Sequence, residues 1–194
     1  KRYALGAEDK IQLMGFEGIA SNEYFEVLPK LILNQKESFP FSGRNRRPPK
    51  DAVNAMLSLA YTLIANDITA ALETVGLDPY VGFLHALRPG RTSLALDMME
   101  EFRAYLGDRF VLSLINKRQV SPKDFLHQGD NGVILTDNGR KTFITAWQNR
   151  KRETIMHPYL NEKVEIGLLP YVQAMMLARF IRKDIDDYPV FLIK

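Results

Sequence analysis

The chain has 194 residues, 46% of them apolar and 25% charged, with a formal net charge of +3. That length holds one ordinary domain or two small ones, the apolar share is that of a globular chain, and so small a basic excess means that any nucleic-acid surface must come from local clustering. Cysteine is absent, which excludes disulfides, thiolate zinc sites and a cysteine nucleophile and fits a cytoplasmic protein.

Residues 1–10 read as a polar lead-in, and Lys1 in place of a methionine reads as the start of a fragment of a longer chain; no signal-peptide pattern opens it. From Ile11 the pattern turns helical. Leu13, Phe16, Ala20, Tyr24, Val27 and Leu31 fall close to helical spacing and predict a buried stripe. Glu17 lies beside that stripe, and by residue type alone it reads as a solvated carboxylate. Gly15 and Gly18 each weaken a helix by about 1 kcal/mol relative to alanine, which a close backbone approach would rationalise. A loop follows, marked by Pro40, Gly43 and Pro48-Pro49. It carries Arg44, Arg46, Arg47 and Lys50 beside Phe39 and Phe41. Guanidinium forks suit phosphate oxygens and aromatic rings suit unpaired bases; an ordinary solvated basic loop explains the same residues equally well.

Asp51 is placed to cap the next helix, in which Val53, Leu57, Ala60, Ile64, Ile68 and Leu72 predict a core face. Asn54 and Asn66 are its polar exceptions, Asn54 reading as a local hydrogen-bonding residue. No apolar run is expected to reach membrane-spanning length. Gly76 ends this helix as a C′ glycine does. Asp78-Pro79 then reads as the start of a short helix ending near His85, Pro89-Gly90 as a turn, and Thr92 or Ser93 as the cap of a further helix. In that helix Ala95, Met99, Phe102 and Leu106 form an apolar stripe, while Asp97, Glu100 and Glu101 share one side. An imidazole nitrogen brought beside hard carboxylate oxygens is a donor set for a divalent cation next to a phosphate. Taken singly, His85 reads as a core histidine, and the acids as a solvated face paired with Arg103.

Residues 107–118 predict another helix. Asn138-Gly139 between two apolar runs predicts a small β-hairpin over about 133–144, with His127 just before it. The tail is read as helical, broken at His157-Pro158 and resumed with Leu168, Val172, Met175, Met176 and Phe180 in the core. The fold class is therefore mainly α, one multi-helix domain over 1–194 with a small inserted hairpin.

Four segments in order, GFEGIASNEYF, GRNRRPPKDAVNAMLSLAYTLI, GLDPYVGFLH and SLALDMMEEFR, resemble the helical C-terminal domain of the CRISPR-associated integrase family, the catalytic subunit of the spacer-acquisition complex. The resemblance runs along nearly the whole chain. Its ending looks closest to subtype I-C members, and the family's N-terminal β-rich domain has no counterpart here. Matched segment by segment, the family's three metal ligands fall on Glu17, His85 and Glu100. Asp97 matches a supporting acid, and Asn54 an asparagine that orients a ligand or contacts DNA.

The resemblance implies a metal-dependent DNA endonuclease and integrase that joins spacer DNA into a CRISPR array by 3′-hydroxyl attack, using Mn²⁺ or Mg²⁺. It implies DNA, a second copy of the chain and a small dimeric CRISPR-associated protein as partners, and no membrane, in a prokaryotic cytoplasm. Arg44, Arg46, Arg47, Lys50, Arg88 and Arg91 are the candidate phosphate contacts. Two other readings stand beside this one. A non-catalytic helical DNA- or partner-docking domain fits the same helices. A helical metal phosphohydrolase of small molecules would want more histidine and aspartate ligands than the chain offers.

Overall fold

The structure, a computed structural model, describes residues 6–193. They form two compact units, one of residues 6–58 and 111–139, the other of 59–110 and 140–193.

In the first unit Asp9 accepts the Gln12 backbone N–H at 2.7 Å and opens helix α1, Lys10–Val27, which tightens into a 3₁₀ turn, Leu28–Leu31, where Pro29 enters. Only Phe25, Leu28 and Ile32 of this region are buried, and Ile11, Met14, Ile19, Tyr24, Val27 and Leu31 are exposed. The predicted stripe is therefore wrong for most of its length. It placed the buried face on Tyr24 and Val27, where the chain buries Phe25 and Leu28. The close approach expected at Gly15 and Gly18 is also absent: a Cβ added at either would meet nothing within 4 Å.

Phe25 packs on Phe41 and Phe39 on Phe125, at ring separations of 6.1 and 5.8 Å, so the aromatics beside the basic loop are core residues. Asn116 ties down the start of the loop, accepting the N–H groups of Leu33 and Asn34 at 2.8 and 3.1 Å.

The hairpin lies earlier than predicted. Strand β1, Phe125–His127, pairs antiparallel with β2, Val133–Leu135. Asn138-Gly139 belongs to the first turn of the following helix, where Thr136 Oγ1 accepts the Gly139 N–H at 3.0 Å. Glycine is required there by proximity, since a Cβ would stand 2.3 Å from the Asp124 carbonyl oxygen. A helix N-terminus and a hairpin turn both favour Asn-Gly, and here the helix won.

Helix α2, Ala52–Thr74, starts after Asp51, whose Oδ1 accepts the Asn54 N–H at 2.8 Å. It ends as predicted: Gly76 has φ +80° and Leu77 N–H reaches back to Leu72 O at 2.9 Å. Contrary to expectation, its 23 residues are long and apolar enough by composition to cross a membrane, although half of the apolar window is buried within the structure, as in a core helix.

In the second unit, helix α3, Ser93–Phe102, runs into a π-helical stretch, Arg103–Asp108; the chain then continues as α4, Arg109–Asn116, most of which belongs to the first unit. Gly107 sits where a Cβ would lie 2.7 Å from the Tyr61 ring. Helix α5, Asp137–Arg152, brings Phe143 and Trp147 onto Phe110, each at 5.2 Å. A second hairpin, β3 Thr154–Met156 with β4 Lys163–Glu165, precedes helix α6, Leu169–Ile181. The tail thus holds two strands where helix was expected. The buried face of α6 is Leu169, Gln173, Ala174, Met176 and Leu177, while Leu168, Met175 and Phe180 are exposed. The predicted apolar set was largely displaced because the segment is apolar nearly all round.

Candidate functional site

Residues 77–92 form no helix; they are turns and extended chain. The expected short helix after Asp78-Pro79 does not form. Pro79 O instead accepts the Leu94 N–H at 2.9 Å, satisfying the start of α3. Neither Thr92 nor Ser93 caps that helix by its side chain; Ser93 Oγ donates to Ala86 O at 3.0 Å. The segment is thereby fastened across the N-terminal end of α3.

Its centre is Asp97. Oδ2 accepts the N–H groups of Phe83 and Leu84 at 2.6 and 2.9 Å, and Oδ1 that of His85 at 2.9 Å. Oδ1 also lies 2.6 Å from His85 Nδ1. A carboxylate can only accept, so Nδ1 carries the proton, and in the neutral imidazole Nε2 is the nitrogen that presents a lone pair. Gly82 makes the wrap possible: a Cβ there would stand 2.8 Å from Asp97 Oδ2 and from Ser93 Cβ. Sequence reasoning missed Gly82 and the Ser93 tie; the one signal was a glycine three residues before the histidine.

Glu100 and Glu101 separate by environment. Glu100 meets Arg103 Nη2 at 2.5 Å with a third of its side chain exposed, and the Arg103 guanidinium lies 5.3 Å from the Tyr61 ring centre. Glu101 turns inward and accepts from Tyr188 Oη, Gln173 Nε2 and Phe191 N at 2.5, 2.8 and 2.9 Å. Burial and the adjacent Glu101 charge push the Tyr188 phenol far above its ordinary value, so it stays a donor. An aromatic-walled pocket of about 270 Å³ lies alongside, lined by Phe83, Phe180, Tyr188, Asp97 and Glu101 among others.

The basic run Arg150–Lys151–Arg152 is partly spent internally. Lys151 Nζ holds both oxygens of Asp67 at 2.9 Å, and Arg150 meets Glu153 and the Tyr105 ring. His127 and Arg88 are exposed and Arg91 is half-buried.

In the first unit the basic loop divides as well. Buried Asn54 accepts from Arg44 Nη1 and Asn45 N at 2.8 and 3.0 Å and donates to Gly43 O and Asp51 Oδ2 at 2.9 and 2.7 Å. Arg44 Nη2 donates to Ser58 Oγ at 3.0 Å. Asn54 and Arg44 are thus the internal frame of the loop, whereas Arg46, Arg47 and Lys50 point their charge outward. A groove of about 740 Å³ runs beside them, between α1 and residues 41–46. Glu17 is exposed on α1.

Among the described residues no three His, Asp or Glu side chains stand close enough to hold a metal ion as placed. The kinds of donor nevertheless fit a hard divalent cation. A histidine whose Nδ1 is held by a carboxylate, leaving Nε2 for a ligand, is the usual support of a metal-binding imidazole.

Taken together, these features define a mainly α-helical protein with a carboxylate-held histidine, an acidic helix and an outward-facing arginine loop. The chain belongs to the Cas1 family: residues 2–149 match the family model described as CRISPR associated protein Cas1. It is 54% identical over 186 residues to "CRISPR-associated endonuclease Cas1 1" of Chlorobaculum tepidum, covering 96% of this chain and 54% of that protein. The chain spans about half the length of the curated relatives it matches. Among solved structures, a casposase bound to integration product superposes with a TM-score of 0.86 at 25% identity, covering 100% of this chain and 55% of the other. A Cas6-RT-Cas1–Cas2 complex gives 0.83 at 27%, covering 100% and 21%.

Proposed function

We propose that this chain carries metal-dependent phosphodiester chemistry on DNA, cutting strands and joining a free 3′-hydroxyl end to a target strand. The observation that carries the reading is the His85–Asp97 pair: in the neutral imidazole it fixes the tautomer that offers Nε2 to a cation, and the half-exposed Glu100 stands on the same helix as Asp97. The name of the C. tepidum relative and the integration product bound by the casposase support it.

His85 and Glu100 would hold Mn²⁺ or Mg²⁺, with Glu17 as the third ligand by its match to the family's glutamate. When bound, the cation supplies Lewis-acid polarisation of the phosphate and a lowered pKa at the attacking hydroxyl. Asp97 holds the His85 proton at Nδ1 throughout, so the imidazole keeps one orientation. Arg46, Arg47, Lys50, Arg88 and Arg91 bind backbone phosphates and set the strand's register. The nucleophile is a 3′-hydroxyl for joining and water for cutting, and no covalent protein intermediate is required. The partners are DNA, a second copy of the chain and a small dimeric protein of the Cas2 kind, in a prokaryotic cytoplasm.

Replacing Glu17, His85 or Glu100 by alanine should each abolish Mn²⁺-dependent strand transfer while thermal unfolding stays cooperative. Full activity in all three variants would sink the assignment. A second reading, a docking domain without chemistry, has on its side that among the described residues no three His, Asp or Glu side chains stand close enough to hold a metal ion as placed. Calorimetric titration with Mn²⁺ divides the two: binding that is unaffected by His85→Ala favours docking.

A further inference from the structure

We propose that Glu101 is a positioning residue and that residues 188–191 act as a strap fixing the helix that carries Asp97 and Glu100. The inference deepens the site reading above and rests on it for its catalytic consequence.

Each Glu101 oxygen is engaged. Oε1 accepts from Tyr188 Oη, and Oε2 from Gln173 Nε2 and the Phe191 N–H. The same Gln173 amide donates to Tyr188 Oη and Pro189 O at 2.9 and 3.0 Å, so strap, α6 and α3 meet at one carboxylate. Phe191 is buried against Phe102, the residue that follows Glu101, with 5.3 Å between ring centres.

The location matters more than the number of bonds. Glu101 sits at the last turn of α3, where the α-helix gives way to the π-helical stretch Arg103–Asp108. A change from i→i+4 to i→i+5 bonding is a place where a helix can change register. One turn earlier, Asp97 must present both oxygens to three backbone N–H groups and to the His85 ring. A small rotation of α3 would break that set. The strap pins the helix on the side where its own bonding is least regular.

The test uses Tyr188→Phe, which removes only the phenol donor, with Glu101→Gln as a second variant. Amide hydrogen exchange is read at Phe83, Leu84 and His85. Protection at all three should fall about tenfold, the scale of one lost hydrogen bond to a charged group. Protection of Val133, whose N–H is held by Pro49 O at 2.8 Å, should not change. Strand transfer should lose rate at saturation, about tenfold, with the KM for DNA unchanged. Unchanged protection at residues 83–85, with loss confined to Phe191, would overturn the proposal and leave the strap a local anchor. If the wild-type chain performs no strand transfer, the proposed function falls, and the exchange measurement still decides the strap.

Discussion

Asp97 Oδ1 lies 2.6 Å from His85 Nδ1 and also accepts the backbone N–H of the same histidine at 2.9 Å. One oxygen thus fixes both the position of the residue and the orientation of its ring. An amide in its place has a single accepting oxygen and cannot hold the Phe83–Leu84 pair and the His85 pair together. Asp97→Asn should therefore weaken Mn²⁺ binding by about 10- to 100-fold, the usual cost of removing the carboxylate behind a metal-binding histidine. Calorimetry on wild type and variant measures it. Equal affinities would remove Asp97 from this role.

Gly82 is the second pressure point. A methyl group there would collide with Asp97 Oδ2, Ser93 Cβ and the Ser93 carbonyl carbon, at 2.8, 2.8 and 2.9 Å. The Ser93 backbone belongs to a helix end and cannot yield as a flexible side chain would. Gly82→Ala should cost about 1–3 kcal/mol, the range for overpacking, and strand transfer should fall further than stability does because His85 is displaced. Urea unfolding midpoints paired with activity at a temperature well below melting separate the two. A variant with wild-type activity would show that the loop has room to move.

How far the sequence showed this depended on which physical signal each segment carried. The boundaries of α2 were legible because Asp51 and Gly76 are end signals with local causes. The core stripe running from α3 into the π-helical stretch was legible because Ala95, Met99, Phe102 and Leu106 recur at helical spacing. On α1 and α6 apolar residues stand on every side, so periodicity could not say that Phe25 and Gln173 go in while Tyr24 and Met175 stay out. Asp97, Glu100 and Glu101 share a helix and were seen as one set, and nothing local marked Glu101 as different from the other two. Its partners, Tyr188 and Phe191, are some 90 residues away, and no local pattern announces such a contact. The role of Asn54 was read correctly from residue type as hydrogen bonding, whereas its partnership with Arg44 required coordinates.

The division within the basic loop makes a quantitative claim. Arg46, Arg47 and Lys50 are exposed, whereas Arg44 is bound to Asn54 and Ser58. Alanine at Arg46, Arg47 or Lys50 should lower the slope of log affinity against log salt by about 0.9 each on duplex DNA, with little change in stability. Arg44→Ala should instead lower the melting temperature, by the equivalent of about 1–3 kcal/mol for acceptors left buried. Fluorescence anisotropy across a salt series, with a melt of each variant, checks both. An Arg44 variant that melts normally but loses salt dependence would return Arg44 to the DNA-facing set.

His157 gives the chain a pH limit. It is buried, its Nδ1 lies 3.3 and 3.2 Å from the N–H groups of Tyr159 and Leu160, and Phe191 packs 5.7 Å from its ring. Burial holds its pKa below the ordinary 6.5, with the neighbouring Gln173 amide opposing in part. The unfolded chain then binds the proton more readily than the folded one. Stability from this residue is complete above pH 6.5 and is lost as pH falls toward the lowered folded value, at no more than about 1.4 kcal/mol per pH unit. A proton on Nδ1 would also face the two backbone donors it now accepts from. His157→Asn keeps an acceptor for those N–H groups but cannot titrate. Its melting temperature should be lower than wild type at pH 8, and the gap should narrow steadily between pH 6.5 and 5. Parallel melting curves for the two proteins across that interval would show that His157 does not set the acid limit.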